Sequence, residues 1–255
     1  MTAERRAEIP VLLDDPVRNH PTRGEQLDIL ASVIGDFLKP GDALLDLGIG
    51  VGYVARMILE RARGARLVGI DMKAESLAKA REVLAPLTPS LSLIEGDLGA
   101  IESLAVPAGP YRAVVSVLTF HDLADEAKER LIRWSATRLG AGGTFFLLDR
   151  LRLDKELLFP FQVTMWERMN RVYGGSMRRA DDFGTYLRDL GETNRPARFE
   201  DYMGWFTGAG LVPACLHLHG NIALFAAAKA LAAIALIIVA SRFLLTRLYR
   251  LVAAT

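Results

Sequence analysis

The chain has 255 residues, 51% of them apolar, with 31 Lys and Arg against 30 Asp and Glu and a formal net charge of +1. Such a length and apolar share support a sizeable core, and the near-zero charge gives no overall basic field for a nucleic-acid partner. Cys215 is the one cysteine, which excludes an intrachain disulfide and suits a reducing compartment.

Residues 1–20 mix charge with Pro10 and Pro16 and read as an arm, with Arg18, Asn19 and His20 as candidate lid contacts. Residues 1–8 are charged and lack the apolar stretch of a secretory signal, so a cytoplasmic location is expected. A helix is expected from about residue 22, where Thr22 and Glu25 have capping-box spacing and Leu27, Leu30, Ile34 and Phe37 share a face. Pro40 and Gly41 end it. Strand and helix then alternate: a strand near 43, a helix over 51–63, a strand near 67, a helix over 74–84, strands near 91 and 114, a helix over 122–139, and a strand near 145. The pattern predicts an α/β fold with a doubly wound, mostly parallel sheet.

The most informative junction is the first strand and its turn. Gly48, Gly50 and Gly52 alternate as G-x-G-x-G behind the acidic Asp46. Glycine suits such a turn because positive φ costs it little and no Cβ blocks a ligand. A dinucleotide fingerprint would put its third glycine at position 53, which is Tyr53, and Asp46 would repel a pyrophosphate. Asp71 ends the second strand about 20 residues on, where a ribose diol would be held. The third and fourth strands run into Glu95, Gly96, Asp97 and Leu98, and into Thr119, Phe120, His121 and Asp122. Four strands thus end in polar residues at one sheet edge, the edge where open parallel sheets bind ligands.

Over residues 42–229 the chain resembles the class I S-adenosylmethionine-dependent methyltransferases. Its Asp46, Gly48, Gly50 and Gly52 match that family's first motif, and residues 139–143, Leu-Gly-Ala-Gly-Gly, match its glycine turn before the fifth strand. The resemblance implies a seven-stranded Rossmann-like sheet with S-adenosyl-L-methionine as cofactor. It also implies that the glycine loop faces the methionine end, that Asp71 binds the ribose hydroxyls with Met72 flanking the adenine, and that Asp97 and Leu98 meet the adenine edge. It assigns residues 1–41 and a helical insertion at 150–198 to the cover of the acceptor site.

The insertion carries Phe159, Phe161, Met165, Trp166, Met169, Tyr173 and Met177 among many charges. Taken singly these read as the apolar faces of two helices packed on the sheet; together they favour an apolar or aromatic small-molecule acceptor. A last helix over 199–209 and a closing hairpin of 211–218 with 221–227 complete the expected sheet. His121 is the candidate catalytic residue: a neutral imidazole at the end of the fourth strand could take a proton from a hydroxyl, which tilts the acceptor atom toward oxygen. The competing role is a loop histidine that caps Asp122 or lines the wall. His217 and His219 share a strand face, but no third ligand lies at metal-site spacing, and no metal is expected.

The tail, 230–255, opens with an apolar run of about 11 residues, too short to span a bilayer as helix, followed by Arg242, Arg247 and Arg250 on one helical face. It forms a candidate apolar and basic helix for peripheral contact with the cytoplasmic face of an anionic membrane, or for a homodimer. Co-sedimentation with anionic liposomes separates the two. Three rival functions stay open: a nicotinamide-dependent oxidoreductase, a non-catalytic cofactor-binding protein recruited to a membrane, and an enzyme that modifies the cofactor's own methyl group.

Overall fold

The computed structural model describes residues 23–173, 180–190 and 194–230. The arm, including Arg18, Asn19, His20 and the Thr22 cap, and Met177 and the tail 230–255 beyond its first residue, lie outside the described residues. No described helix is long and apolar enough to cross a membrane.

Helix α1 (Arg23–Phe37) precedes strand β1 (Ala43–Leu47). There follow α2 (Tyr53–Arg61), β2 (Arg66–Asp71), α3 (Ala74–Leu84), β3 (Leu91–Glu95) and β4 (Tyr111–Val117). Helix α4 (Asp125–Arg138) leads to β5 (Leu139–Arg150), and the insertion contributes α5 (Phe159–Tyr173) and α6 (Phe183–Asp189). Helix α7 (Phe199–Gly208), β6 (Leu211–His219) and β7 (Ile222–Lys229) close the fold. The seven strands form one sheet in the order β3-β2-β1-β4-β5-β7-β6. Pairing is parallel from β3 through β5 and antiparallel on both sides of β7.

Side-chain alternation builds a core on each face of the sheet. On one face Leu44, Phe146, Leu148 and Leu224 pack with Leu27, Leu30 and Ile34 of α1 and with Ile58 and Leu59 of α2. On the other, Leu45, Leu47, Phe145, Leu147 and Phe225 pack with Leu131 of α4 and Tyr202 and Phe206 of α7. Lys229 fastens the end of β7 by donating from Nζ to the carbonyls of Ala136 and Leu139, where α4 passes into β5. Those carbonyls are at the negative end of the helix, where a cation is favoured.

Two expectations are refined. The glycine turn at 139–143 is contained within β5: Tyr111 pairs with Leu139 but Ala113 pairs with Thr144, so the glycines between them bulge out, with Gly142 at φ 69. Phe159, Trp166 and Met169 do not join either sheet core. They form a separate cluster with Ala180 and Tyr186, while Phe161 and Met165 stay exposed, at 68% and 44%.

Candidate functional site

In sequence order the chain steps from β1 outward through β2 and β3, then returns to the opposite side of β1 with β4. Such a reversal opens a crevice at the carboxyl ends of β1 and β4. A cavity of about 410 Å³ lies there. Its wall includes Asp46, Gly48, Gly50, Asp71, Met72, Asp97 and Leu98, so the structure brings these predicted site residues together.

Close packing explains two of the three loop glycines. A Cβ on Gly48 would overlap the Thr119 side chain at the end of β4, and one on Gly52 would come within 2.8 Å of Leu84 Cδ1 on α3. Gly50, at φ +55, has nothing within 4 Å of where its Cβ would be, so the loop presents bare backbone to open space. Leu118, also on the wall, holds φ 53, a left-handed conformation unusual for leucine and fixed by its N–H donating to Leu148 O at 2.8 Å.

The loop's donors are largely spent inside the protein. The N–H groups of Gly48 and Ile49 both donate to Ile70 O, at 2.9 and 3.0 Å, and Gly52 N–H donates to Ile49 O at 3.0 Å. Gly50 N–H donates to Asp71 Oδ2 at 2.8 Å, while Asp71 Oδ1 accepts from Lys73 N–H at 3.0 Å. Each Asp71 oxygen keeps a second lone pair for a hydroxyl. Asp97 Oδ1 accepts from Gly99 N–H at 2.8 Å, and Leu98 is buried beside it. Met72 is 68% exposed at the rim. Asp46 is buried, and desolvation, reinforced by the charge of Asp71, pushes its carboxyl up to about 7.

His121 occupies a short 3-10 helix, Phe120–Asp122, just past β4. It is buried and is not part of the cavity wall, although Thr119, Asp122 and Leu123 are. Its Nδ1 lies 2.6 Å from Oδ1 of the fully buried Asp149, and its Nε2 lies 3.6 Å from Asp122 Oδ1. Asp149 Oδ2 accepts from the Tyr202 hydroxyl at 3.0 Å; burial, then the neighbouring Asp149 charge and this bond, raise the Tyr202 pKa well above its usual value. Arg195 N–H donates to His121 O, and Lys128 Nζ donates to Arg195 O, so segment 194–198 is fastened beneath the histidine.

Sequence reasoning missed Arg23, Asp149 and Tyr202. Arg23 lines the cavity from the first described turn of α1. Asp149 could have been found, because it is one more acid at the carboxyl end of a strand; Tyr202 carried no comparable signal. No residue of 150–198 lines the cavity among those described. Among the described residues no group of three His, Cys, Asp or Glu could hold a metal ion; His217 and His219 stack with ring centroids 6.5 Å apart.

Residues 44–143 match the family model of the methyltransferase domain. Over those residues the chain carries a methyltransferase domain, similar to that of the class I S-adenosylmethionine-dependent methyltransferases. It is similar to a carboxy-S-adenosyl-L-methionine synthase of Pseudomonas putida, 28% identical over 156 residues, which is 58% of this chain and 60% of that protein. It is also similar to an uncharacterized methyltransferase of Geobacillus thermodenitrificans, 30% identical over 129 residues, or 51% of this chain and 55% of the relative. The chain thus spans less than two thirds of the length of these curated relatives. Among solved structures, an O-methyltransferase family protein from Burkholderia thailandensis superposes with a TM-score of 0.61 at 13% identity, covering 82% of this chain and 56% of that one. The YcgJ protein from Bacillus subtilis superposes with a TM-score of 0.58 at 14% identity, covering 81% and 99%. At those identities the likeness shows the fold.

The cofactor of this family is S-adenosylmethionine, and the donor set fits it. Asp71 offers paired lone pairs for a diol, Asp97 and Leu98 form a polar and apolar wall for a base, and the bare Gly50 backbone leaves room for close approach.

Proposed function

We propose that this protein transfers a methyl group from S-adenosylmethionine to an oxygen atom of a small apolar or aromatic acceptor. When bound, the cofactor supplies a methyl group made electrophilic by its sulfonium. Asp71 would hold the ribose hydroxyls, Asp97 and Leu98 the adenine edge with Met72 over its open side, and Asp46 would face the positive methionine end. The spent donors of the glycine loop count against a pyrophosphate, and so against the oxidoreductase rival, because a phosphate cradle needs those N–H groups free.

The pairing of His121 with Asp149 carries the choice of oxygen. A buried carboxylate 2.6 Å from Nδ1 keeps the proton on that nitrogen and leaves Nε2 as the basic lone pair. Tyr202 donates to the other carboxylate oxygen and fixes its orientation. Nε2 lies 3.6 Å from Asp122 Oδ1, and Asp122 is on the cavity wall, so the buried imidazole stands one side chain behind that wall. Reached from the cavity past Asp122, it would accept the proton of an acceptor hydroxyl, whose oxygen would take the methyl group that the bound cofactor supplies.

Mass spectrometry after incubation with labelled cofactor and a lipid-containing extract of the host identifies the methylated product. With that acceptor, His121→Ala is expected to lower turnover about a hundredfold with S-adenosylmethionine affinity nearly unchanged. Equal loss of cofactor affinity would assign the histidine to structure. The likeness to the Pseudomonas putida synthase favours a second reading, modification of the cofactor's own methyl group. The same product masses separate it: label would then stay on an enlarged adenosyl product and reach no acceptor.

A further inference from the structure

We propose that Arg23 binds the carboxylate at the methionine end of the cofactor, an inference that rests on the cofactor reading above. Four carboxylates line the cavity, those of Asp46, Asp71, Asp97 and Asp122, against two cations, Arg23 and Lys73. Lys73 is exposed, and Arg23 is buried at 9% exposure. A wall so acidic can face a sulfonium and an ammonium, but the carboxylate of the same amino acid needs a cation, and Arg23 is the buried one available.

The guanidinium is also incomplete as it stands. Its Nε is buried with no hydrogen-bond partner among the described residues. A buried unpaired donor on a charged group is costly, and a ligand that completes it recovers that cost. The neighbours do not complete it. Arg150 repels it, and Asp149, which attracts it, already accepts from His121 and Tyr202 on its two oxygens. Burial first, and Arg150 second, bring the Arg23 pKa down to about 10, which leaves it protonated at neutral pH. The turn that bears it is pinned, since Gln26 Nε2 donates to Ile222 O at 3.2 Å at the start of β7. A carboxylate presented edge-on to Nε and one Nη would make two parallel charge-assisted hydrogen bonds, a geometry lysine cannot copy.

The test is calorimetric and needs no acceptor. The full chain and its Arg23→Gln and Arg23→Lys variants are titrated with S-adenosylhomocysteine and with 5′-methylthioadenosine, which keeps the adenosine and sulfur but lacks the amino-acid end. Arg23→Gln is expected to weaken S-adenosylhomocysteine about thirtyfold and methylthioadenosine by less than about twofold. Arg23→Lys should fall between the two enzymes for the first ligand only. Equal losses for both ligands, or a change for neither, would overturn the assignment. If Arg23→Gln does not fold, as judged by its unliganded melt, the Lys variant decides by the same ratio. Failure of the unaltered chain to bind either ligand would bring down the cofactor reading itself, an outcome distinct from failure of the Arg23 assignment.

Discussion

The carboxyl edge of β1 to β4 and the insertion that follows β5 are built on opposite plans. At the sheet edge each functional carboxylate outside β1 is tied to main chain: Asp71 to Gly50 and Lys73, Asp97 to Gly99. In the insertion the organising contacts are between rings. Phe159 meets Trp166 at 5.9 Å, Phe183 at 5.8 Å and Tyr186 at 5.9 Å, and the outer side of α5 leaves Phe161, Met165 and Val172 exposed, as is Leu157 just before it. Backbone anchoring fixes position while tolerating few sequences, whereas ring packing accepts many combinations of similar volume. Residues 44–143, which match the methyltransferase domain, contain the β1 to β4 edge, and the insertion lies outside that match.

The largest effect expected to break this contrast is on stability. Phe145 is fully buried on β5, with Phe120 and Phe206 edge-on at 5.9 and 5.5 Å. Phe145→Ala should cost about 3–5 kcal/mol and lower hydrogen-exchange protection throughout the sheet. Phe159→Ala removes the same ring from the separate cluster; it should reduce protection of residues 159–173 and 183–189 and leave cofactor affinity within about twofold. Equal loss of protection in the sheet for both variants would merge the two regions into one cooperative unit.

Much of the sheet edge was legible because chain order alone brings it together: a strand, its turn and a terminal acid recur four times, and a parallel sheet aligns those ends. Asp46, Asp71 and Asp97 needed only that rule. The pairing of His121 with Asp149 and Tyr202 did not follow from it, since positions 121, 149 and 202 meet through packing of β4, β5 and α7 and share no spacing. Arg23 was hidden for a similar reason. It sits one turn before the apolar face of α1, where a charged residue ordinarily reads as solvated. The glycines at 140, 142 and 143 signalled a turn correctly, but their placement inside β5 depends on the register with Tyr111 and Ala113, which only the paired strand reveals.

Asp46 sharpens the contrast from the other direction, because it is an acid at the edge that is costly before a ligand arrives. Its folded pKa of about 7 is raised from an ordinary 3.8, so the folded state holds a proton that the unfolded state releases between those values. Stability contributed by the protonated carboxyl is therefore fully present below pH 3.8, falls as pH rises, and is lost above about 7. Asp46→Asn should abolish that decline and stabilise the unliganded chain above pH 7 by at most roughly 4 kcal/mol, read from urea melts at pH 5 and pH 8. Cofactor binding should move oppositely. A cationic ligand favours the ionised carboxylate, so the affinity of the unaltered protein should rise with pH toward 7 and then level, and the variant should bind weakly with no such slope. Identical pH dependence of the two melts would place the raised pKa elsewhere.

Asp71 is where the proposed ribose contact and the scaffold coincide, and separating them gives the finest test of how the edge is held. On the proposed ribose contact, removing its carboxyl should take away the acceptors for two hydroxyls, a loss of roughly 2–3 kcal/mol, or about thirty- to a hundredfold in S-adenosylmethionine affinity. It also leaves the part-buried Gly50 N–H without its 2.8 Å acceptor, so the loop should loosen even before ligand is added. Asp71→Ala is accordingly expected to show faster exchange of the Gly50 amide in the unliganded protein as well as weaker binding by calorimetry. Asp71→Asn, whose single carbonyl oxygen can still accept from Gly50, should restore slow exchange while binding stays weak. If Asp71→Asn recovers the affinity along with the exchange rate, Asp71 serves the loop alone; if neither variant alters affinity, the ribose is held elsewhere.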